Sequence, residues 1–234
     1  ICNTSRFRMS GKKKTKVFRV DNMKKPTMYV VDGQMGYFRP WSKLFTLVTD
    51  PKDAQSLLFT GGEDISPALY GEENVASWAW NSPRRDAVEK AAYEYAVKHK
   101  LPMVGICRGA QMICALSGGR LFQHVDHHTG RHEMITHDGQ VMDVSSLHHQ
   151  MLRPAGNFEL RAWSTPRSKQ YVHASAEGKK VVLTKPDLGK DPEAVWYPDI
   201  KAYCIQGHPE FMHDDARAVA WFRNEVKQLI VERM

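Results

Sequence analysis

The chain has 234 residues, of which 42% are hydrophobic and 25% are charged. These proportions are typical of a soluble globular protein and argue against a disordered, collagen-like or disulfide-scaffold chain. The length suits one large α/β domain with a well-buried core. No apolar run approaches the roughly 18 residues of a membrane-spanning helix, and no secretory signal is recognised, so no membrane partner is predicted.

The formal net charge of +7 is concentrated at the N-terminus. Residues 1–25 contain nine Lys or Arg side chains and one acid, Asp21, whereas the rest of the chain is nearly neutral. Such a segment can bind nucleic acid, but charge runs are more often solvated tails. We therefore predict that residues 1–25 form a basic, flexible N-terminal arm and that residues 26–234 form the folded domain. Contact between the arm and nucleic acid is the less favoured alternative.

The four cysteines are Cys2, Cys107, Cys114 and Cys204. Their spacing is irregular and includes no C-x-x-C pair, which indicates neither a zinc ribbon nor a disulfide framework. The simplest interpretation is a reducing, cytoplasmic setting, in which one cysteine can act as a nucleophile.

The first predicted elements suggest parallel strands joined by helices. Apolar runs at residues 28–31, 45–48, 56–59 and 102–106 are typical of buried strands. A helix is predicted over residues 83–99, with Ser82 as its N-cap and Pro83 in its first turn. Its apolar face is expected to include Ala87, Ala91 and Tyr95. A second helix is predicted from residue 110 to residue 116.

The later elements suggest antiparallel pairing. A hairpin is predicted between residues 134–137 and 140–144, around the turn Asp138-Gly139. Further strands are predicted at residues 158–163, 171–174, 181–183, 194–196 and 202–205, followed by a helix over 214–231. These elements together predict the α/β class, with a central, mostly parallel sheet in a three-layer α/β/α arrangement and an antiparallel β extension.

Cys107 stands between Gly105 and Gly109, where a predicted strand meets a helix. This is the cysteine form of the G-x-S-x-G nucleophile elbow, in which small neighbours permit a strained turn. The N-terminus of the following helix favours the thiolate, and the backbone N–H of Arg108 is placed to bind an oxyanion. Cys107 is therefore predicted to be a nucleophile, and Cys114 a core residue.

Two further segments follow predicted strands and could complete this site. His208 could act as the general base, and Glu210 could orient its imidazole. The pair Gly61-Gly62 could supply backbone N–H groups to the oxyanion, although an ordinary tight turn explains these glycines equally well.

These segments together resemble the class I (triad) glutamine amidotransferase superfamily. The sequence G-I-C-R-G-A-Q at residues 105–111 looks like its nucleophile motif, and Q-G-H-P-E at 206–210 looks like its His-x-Glu motif. Residues 61–72 and the sequence S-S-L-H-H-Q at 145–150 are similar to the γ-glutamyl hydrolase-like subgroup. The resemblance covers residues 28–232.

The resemblance implies a flavodoxin-like fold and a catalytic domain over residues 26–234. It implies a Cys107–His208–Glu210 triad, with an oxyanion hole formed by the N–H groups of Gly62 and Arg108. The small-molecule substrate, glutamine or a γ-glutamyl amide, would react through a glutamyl-thioester on Cys107, without a cofactor or metal. The residues implied in substrate binding are Gly61, Gln111, Ser146, Leu147 and His148, with Ser146 to His148 in a loop.

Three functions remain open at this stage. The chain could be a glutaminase that supplies ammonia to a separate synthase subunit, or a free-standing hydrolase of γ-glutamyl amines or peptides. A non-catalytic binding module with a nucleic-acid-binding arm is the third alternative. The intact Cys–His–Glu set favours an enzyme.

A histidine-rich stretch gives the alternative of a metal site. The stretch contains His124, His127, His128, His132 and His137, together with Asp126 and Glu133. Histidine and carboxylate side chains are common zinc ligands. The favoured interpretation is a polar loop that leads into the hairpin, because the implied triad needs no metal.

Overall fold

The computed structural model describes residues 24–76 and 80–234, so most of the predicted basic arm lies outside the described residues. The main helices are α1 (Pro83–His99), α2 (Arg108–Leu116) and α3 (Arg217–Leu229), and short 3-10 turns include Met35–Trp41. The strands are β1 (Thr27–Val30), β2 (Thr46–Val48), β3 (Ser56–Phe59), β4 (Met103–Ile106), β5 (Arg120–Phe122), β6 (His124–Val125), β7 (Thr129–Thr136), β8 (Val141–Leu147), β9 (Met151–Arg153), β10 (Glu159–Ser164), β11 (Tyr171–Ala174), β12 (Lys180–Leu183), β13 (Asp191–Tyr197) and β14 (Ala202–Ile205).

The central sheet has nine strands in the order β2-β1-β3-β4-β14-β13-β10-β7-β8. The first five are parallel, and every pair from β14 to β8 is antiparallel. Gly105 of β4 is in register with Phe59 of β3 and with Cys204 of β14. The carboxyl ends of these three strands therefore lie side by side, which is where α/β sheets carry their functional sites.

Helices cover both faces of the sheet, as the α/β/α prediction requires. Alternate residues of one strand point to opposite faces, so Val104 packs in the core beneath α3 whereas Met103 packs in the core beneath α1 and α2. The predicted apolar face of the last helix is buried, including Trp221 and Phe222. The three-layer α/β fold with an antiparallel extension is thus confirmed.

The predicted apolar face of α1 is wrong. Ala87, Ala91 and Tyr95 are exposed. The buried face carries charged groups instead, namely Arg85, Asp86 and Glu89, followed by Tyr93 and Ala96. These charges tolerate burial because they form ion pairs with one another and with Arg108, which the hydrophobic pattern of one helix does not reveal.

The antiparallel part of the chain is richer in strands than predicted. Strands β5, β6 and β9 are short and form parts of two small sheets. Ser146 and Leu147 end strand β8, so the predicted Ser146–His148 loop begins only at His148. Within the described residues, none of the helices has the length and apolar character that crossing a bilayer requires.

Candidate active site

Cys107 occupies a strained turn between β4 and α2. Its backbone has φ 48° and ψ −108°, a conformation that L-residues rarely adopt. The backbone is held on both sides, because Cys107 N–H donates to Ile205 O at 2.7 Å and Gln111 N–H donates to Cys107 O at 3.0 Å. The side chain therefore stands at the N-terminus of α2, where the helix dipole favours a negative charge.

The two glycines around Cys107 are required by close backbone contacts. A Cβ at Gly105 would lie 2.7 Å from Ala110 N, and one at Gly109 would lie 2.4 Å from Phe59 O. Both neighbours are backbone atoms that cannot turn aside. The elbow predicted from these glycines is therefore present, and it packs directly on β3.

We expect Gly109→Ala to lower the free energy of unfolding by at least about 2 kcal/mol, since overpacking a rigid contact is strongly destabilising. Urea denaturation followed by circular dichroism measures this loss. Gly36→Ala is the matched control, because a Cβ at Gly36 meets no atom within 4 Å. Equal stabilities of the two variants would contradict the assigned role of Gly109.

His208 and Glu210 lie directly after β14, beside the elbow. His208 Nδ1 is 2.6 Å from Glu210 Oε1, and both side chains are buried. Because Nδ1 pairs with Glu210, Nε2 is the ring nitrogen left to interact with the Cys107 thiol. The backbone carbonyl of Glu210 accepts a hydrogen bond from Arg39 Nη2 at 2.6 Å, which anchors this segment. The structure therefore brings the three predicted triad residues together in one series.

The surroundings of His208 favour its protonated form. Burial disfavours the charged imidazole, but hydrogen bonds and charge interactions with Cys107 and Glu210 outweigh it and raise the pKa of His208 to about 10. Phe211 stacks on the imidazole with a ring separation of 5.0 Å. His208 is thus oriented on one edge by a carboxylate and covered on one face by an aromatic ring.

The predicted oxyanion-hole glycines lie next to this series. A Cβ at Gly61 would come within 3.1 Å of His208 Cε1, and Gly62 has φ +146°. Arg85 holds the turn, because its Nη2 donates to Gly61 O and to Thr60 Oγ1, each at 2.9 Å. The position of the turn therefore depends on the buried charges of α1. The N–H of Arg108, the other predicted donor, lies in the first turn of α2, where N–H groups lack partners within the helix.

Tyr37 is a site residue that the sequence analysis missed. Its hydroxyl would lie 2.6 Å from a Cβ at Gly61, and its ring is 6.4 Å from that of His208. Burial and the nearby Glu210 and Cys107 raise the pKa of Tyr37, so the phenol stays protonated. The available signal was its place shortly after β1, at the same sheet edge as the other strand ends.

The predicted substrate-binding residues fall into two groups. Gln111 and His148 are buried and contact the same carbonyl, Gln150 O, at 3.3 and 2.9 Å. Ser146 is also buried, but its hydroxyl donates to His128 O at 2.5 Å. Leu147 is 56% exposed. Their binding role stays a prediction; Gly61 lies beside the ring of His208, and the backbone N–H of Gln111 donates to Cys107 O.

The histidine-rich stretch is dispersed rather than assembled into one cluster. His124 lies in β6, and His132 and Glu133 lie in β7, so the interpretation as a polar loop is wrong for these three residues. Asp126, His127 and His128 lie between the two strands. His127 is exposed, whereas His137 pairs with Glu225 at 3.3 Å. His128 and His132 are buried against Asp191 and Glu193 of β13. His128 and His132 lie together, with ring centroids 5.4 Å apart, whereas His127 and His137 point elsewhere.

Comparison with known proteins identifies the family. A profile of Peptidase C26 matches residues 52–210. A candidate glutamine amidotransferase from Mycobacterium tuberculosis is 30% identical over 167 residues, which cover 69% of this chain and 52% of that protein. A γ-glutamyl-CDP-amidate hydrolase from Campylobacter jejuni is 34% identical over 80 residues, covering 34% of this chain and 36% of that protein. The chain spans about half the length of the first curated relatives it matches.

A solved structure supports the fold independently. It is that of a candidate GMP synthase protein from Thermoplasma acidophilum, with a TM-score of 0.58 and 18% identity. The match covers 91% of this chain and 98% of the other. At this identity the likeness concerns the fold alone. Together with the profile match, it confirms the resemblance found in the sequence: the chain belongs to the Peptidase C26 family of the class I glutamine amidotransferase superfamily.

Proposed function

We propose that this protein hydrolyses the γ-amide of glutamine, or of a related γ-glutamyl amide, through a glutamyl-thioester on Cys107. The placement of the Cys107 elbow beside the hydrogen-bonded pair His208–Glu210, at the carboxyl ends of three parallel strands, supports the proposal. The names of the relatives support the same class of reaction.

The first half of the proposed reaction forms the thioester. The Cys107 thiolate attacks the γ-carbonyl carbon, and the developing oxyanion accepts hydrogen bonds from the N–H groups of Gly62 and Arg108. His208 then transfers its proton to the leaving nitrogen as the C–N bond breaks, and ammonia or an amine departs. Glu210 keeps the imidazolium oriented and stabilises its charge.

The second half restores the enzyme. Neutral His208 takes a proton from a water molecule as that water attacks the thioester carbonyl. The C–S bond breaks, and glutamate leaves with the water oxygen in its new carboxylate. The Cys107 thiolate and the His208 imidazolium are then ready for another turnover.

The identity of the leaving group distinguishes the two enzymatic alternatives. We favour a partner-independent hydrolase of γ-glutamyl amides over an ammonia supplier, because one relative is named as the hydrolase of a substituted γ-glutamyl compound. The protein alone should be assayed with glutamine and with a γ-glutamyl-alkylamine. Turnover of the substituted amide supports this choice, whereas turnover of glutamine that appears only after a synthase is added would favour the ammonia supplier.

The thioester can be tested directly. The protein should be mixed with excess substrate, quenched in acid within the turnover time, and analysed by peptide mass mapping. We expect one glutamyl group on the Cys107 peptide. Measurable hydrolysis without any such adduct, and without capture of the acyl group by hydroxylamine, would contradict a thioester mechanism.

The contribution of Tyr37 to the proposed reaction can be tested by removing its hydroxyl. We expect Tyr37→Phe to reduce kcat/KM by about 10-fold, the effect of losing one hydrogen bond that the hydroxyl would make with the bound substrate. Steady-state kinetics measures the change, and thermal melting checks the fold. Tyr95→Phe is the matched control on an exposed tyrosine. If kcat/KM falls equally in Tyr37→Phe and Tyr95→Phe, the Tyr37 hydroxyl has no specific role in the site.

A further inference from the structure

Three buried side-chain atoms from neighbouring residues of the antiparallel extension lack a hydrogen-bond partner. They are His128 Nδ1, His148 Nε2 and Glu193 Oε2. Their side chains offer ligand atoms that all lie within 4.8 Å of one another. The three residues are at most 3% exposed. Leaving three such atoms unpaired would be costly, so the cluster calls for an occupant.

The second ring nitrogen of each of the two histidines already has a hydrogen-bond partner. His128 Nε2 is 3.0 Å from Asp191 Oδ2, and His148 Nδ1 is 2.9 Å from Gln150 O. A carbonyl oxygen can only accept, so His148 Nδ1 carries the proton and its Nε2 presents a lone pair. The carboxylate of Asp191 likewise orients His128 with its Nδ1 lone pair inward. Outer carboxylate and carbonyl partners of this kind fix the tautomer of metal-binding histidines.

The carboxylate of Glu193 is also positioned by its neighbours. Its Oε1 is 2.6 Å from His132 Nε2 and 3.2 Å from Ser164 Oγ, whereas Oε2 has no hydrogen-bond partner. The cluster therefore combines two imidazole nitrogens with a carboxylate oxygen, a set that prefers a divalent cation.

We propose that His128, His148 and Glu193 form a buried divalent-metal site, with Zn²⁺ as the preferred ion. His128 precedes β7, His148 follows β8, and Glu193 lies in β13, so a bound ion would tie three segments of the antiparallel extension together. The cluster is sealed from solvent, which suits a bare ion better than the end of a larger substrate. This ligand set revises the prediction that the protein needs no metal, and only one of its members belongs to the histidine-rich stretch.

Metal binding should be measured on full-length protein without a histidine tag. After chelator treatment and dialysis, we expect calorimetry to show one Zn²⁺ bound per chain and thermal melting to show a higher Tm with the ion. His128→Asn and Glu193→Gln should each weaken binding more than about 100-fold, which exceeds the effect of losing an outer partner. His127→Asn is the matched control, because His127 is the exposed neighbour of His128.

The thiol of Cys107 can also bind zinc. The experiment must therefore distinguish zinc bound by Cys107 from zinc bound by the three proposed ligands. We expect Cys107→Ser to retain stoichiometric zinc, and the Co²⁺-substituted protein to lack a thiolate-to-cobalt charge-transfer band. The Co²⁺ spectrum uses the wild-type protein, so it remains decisive if a ligand variant fails to fold. No zinc binding by the wild type, loss of zinc in Cys107→Ser, a thiolate band, or unchanged affinity in both ligand variants would each overturn the site.

Discussion

Replacing Cys107 by serine is expected to lower kcat/KM for a γ-glutamyl amide by about 10⁴-fold or more, the scale on which a missing triad nucleophile acts. The serine hydroxyl is nearly the same size but is a much weaker nucleophile at neutral pH. Initial rates with wild-type and variant protein measure the loss. The fold should be unchanged by circular dichroism, since only one atom differs.

Cys114→Ala is the matched control for this experiment. Cys114 lies in α2, the helix that follows Cys107. It is fully buried, and this burial raises the pKa of its thiol to about 11. It should therefore stay protonated and unreactive. We expect Cys114→Ala to retain activity and to be labelled at Cys107 by a glutamine-analogue electrophile. Labelling of Cys107→Ser at a cysteine other than position 107, or near-normal turnover by that variant, would show that another group is the nucleophile.

Glu210→Gln is expected to reduce kcat/KM by about 10³- to 10⁴-fold. The pH at which kcat/KM falls on the alkaline side is expected to be lower in this variant than in the wild type. Glu210 supplies a hydrogen bond and a negative charge that help to raise the pKa of His208 to about 10. Activity that needs the imidazolium is lost as the pH rises through this pKa. Removing the charge lowers the pKa, so activity should disappear earlier on the alkaline side.

The pH dependence of kcat/KM, measured from acidic to strongly alkaline buffers, tests this expectation. Asp215→Asn is the matched control, because His213 and Asp215 form a similar pair two residues apart that is 83% exposed. That variant should keep the wild-type profile. If the alkaline limb of the Glu210→Gln profile stays at the wild-type pH or moves to higher pH, Glu210 does not help to keep His208 protonated.

The sequence alone predicts the local features of this protein well. The strand runs, the helix over residues 83–99 with its Ser82 cap and the Asp138-Gly139 turn all depend on nearby residues, and each appears in the structure. The Cys107 elbow was also predictable, because its glycines are needed for contacts made within one strand–turn–helix unit and with the adjacent strand. The same local motifs were sufficient to suggest the family.

What the sequence could not provide are pairings between distant segments. The buried charges of α1 look unfavourable on their own and make sense only because Arg108 lies opposite them. Hydrophobic periodicity therefore selected the wrong face of that helix. Tyr37 likewise belongs to a turn whose place beside Gly61 and His208 is set by strand order.

The histidines show the same division between local and tertiary information. Their density in one stretch suggested a single cluster, yet His127 is exposed and His137 pairs with Glu225, while His128 groups with His148 and Glu193 from two other segments. The sequence by itself determined the fold class, the nucleophile elbow and the family, because these reside in short contiguous patterns. Only the tertiary structure decided which charges are buried together, which ring nitrogens are left without partners and which side chains surround Cys107, because the strand order brings together residues that are far apart along the chain.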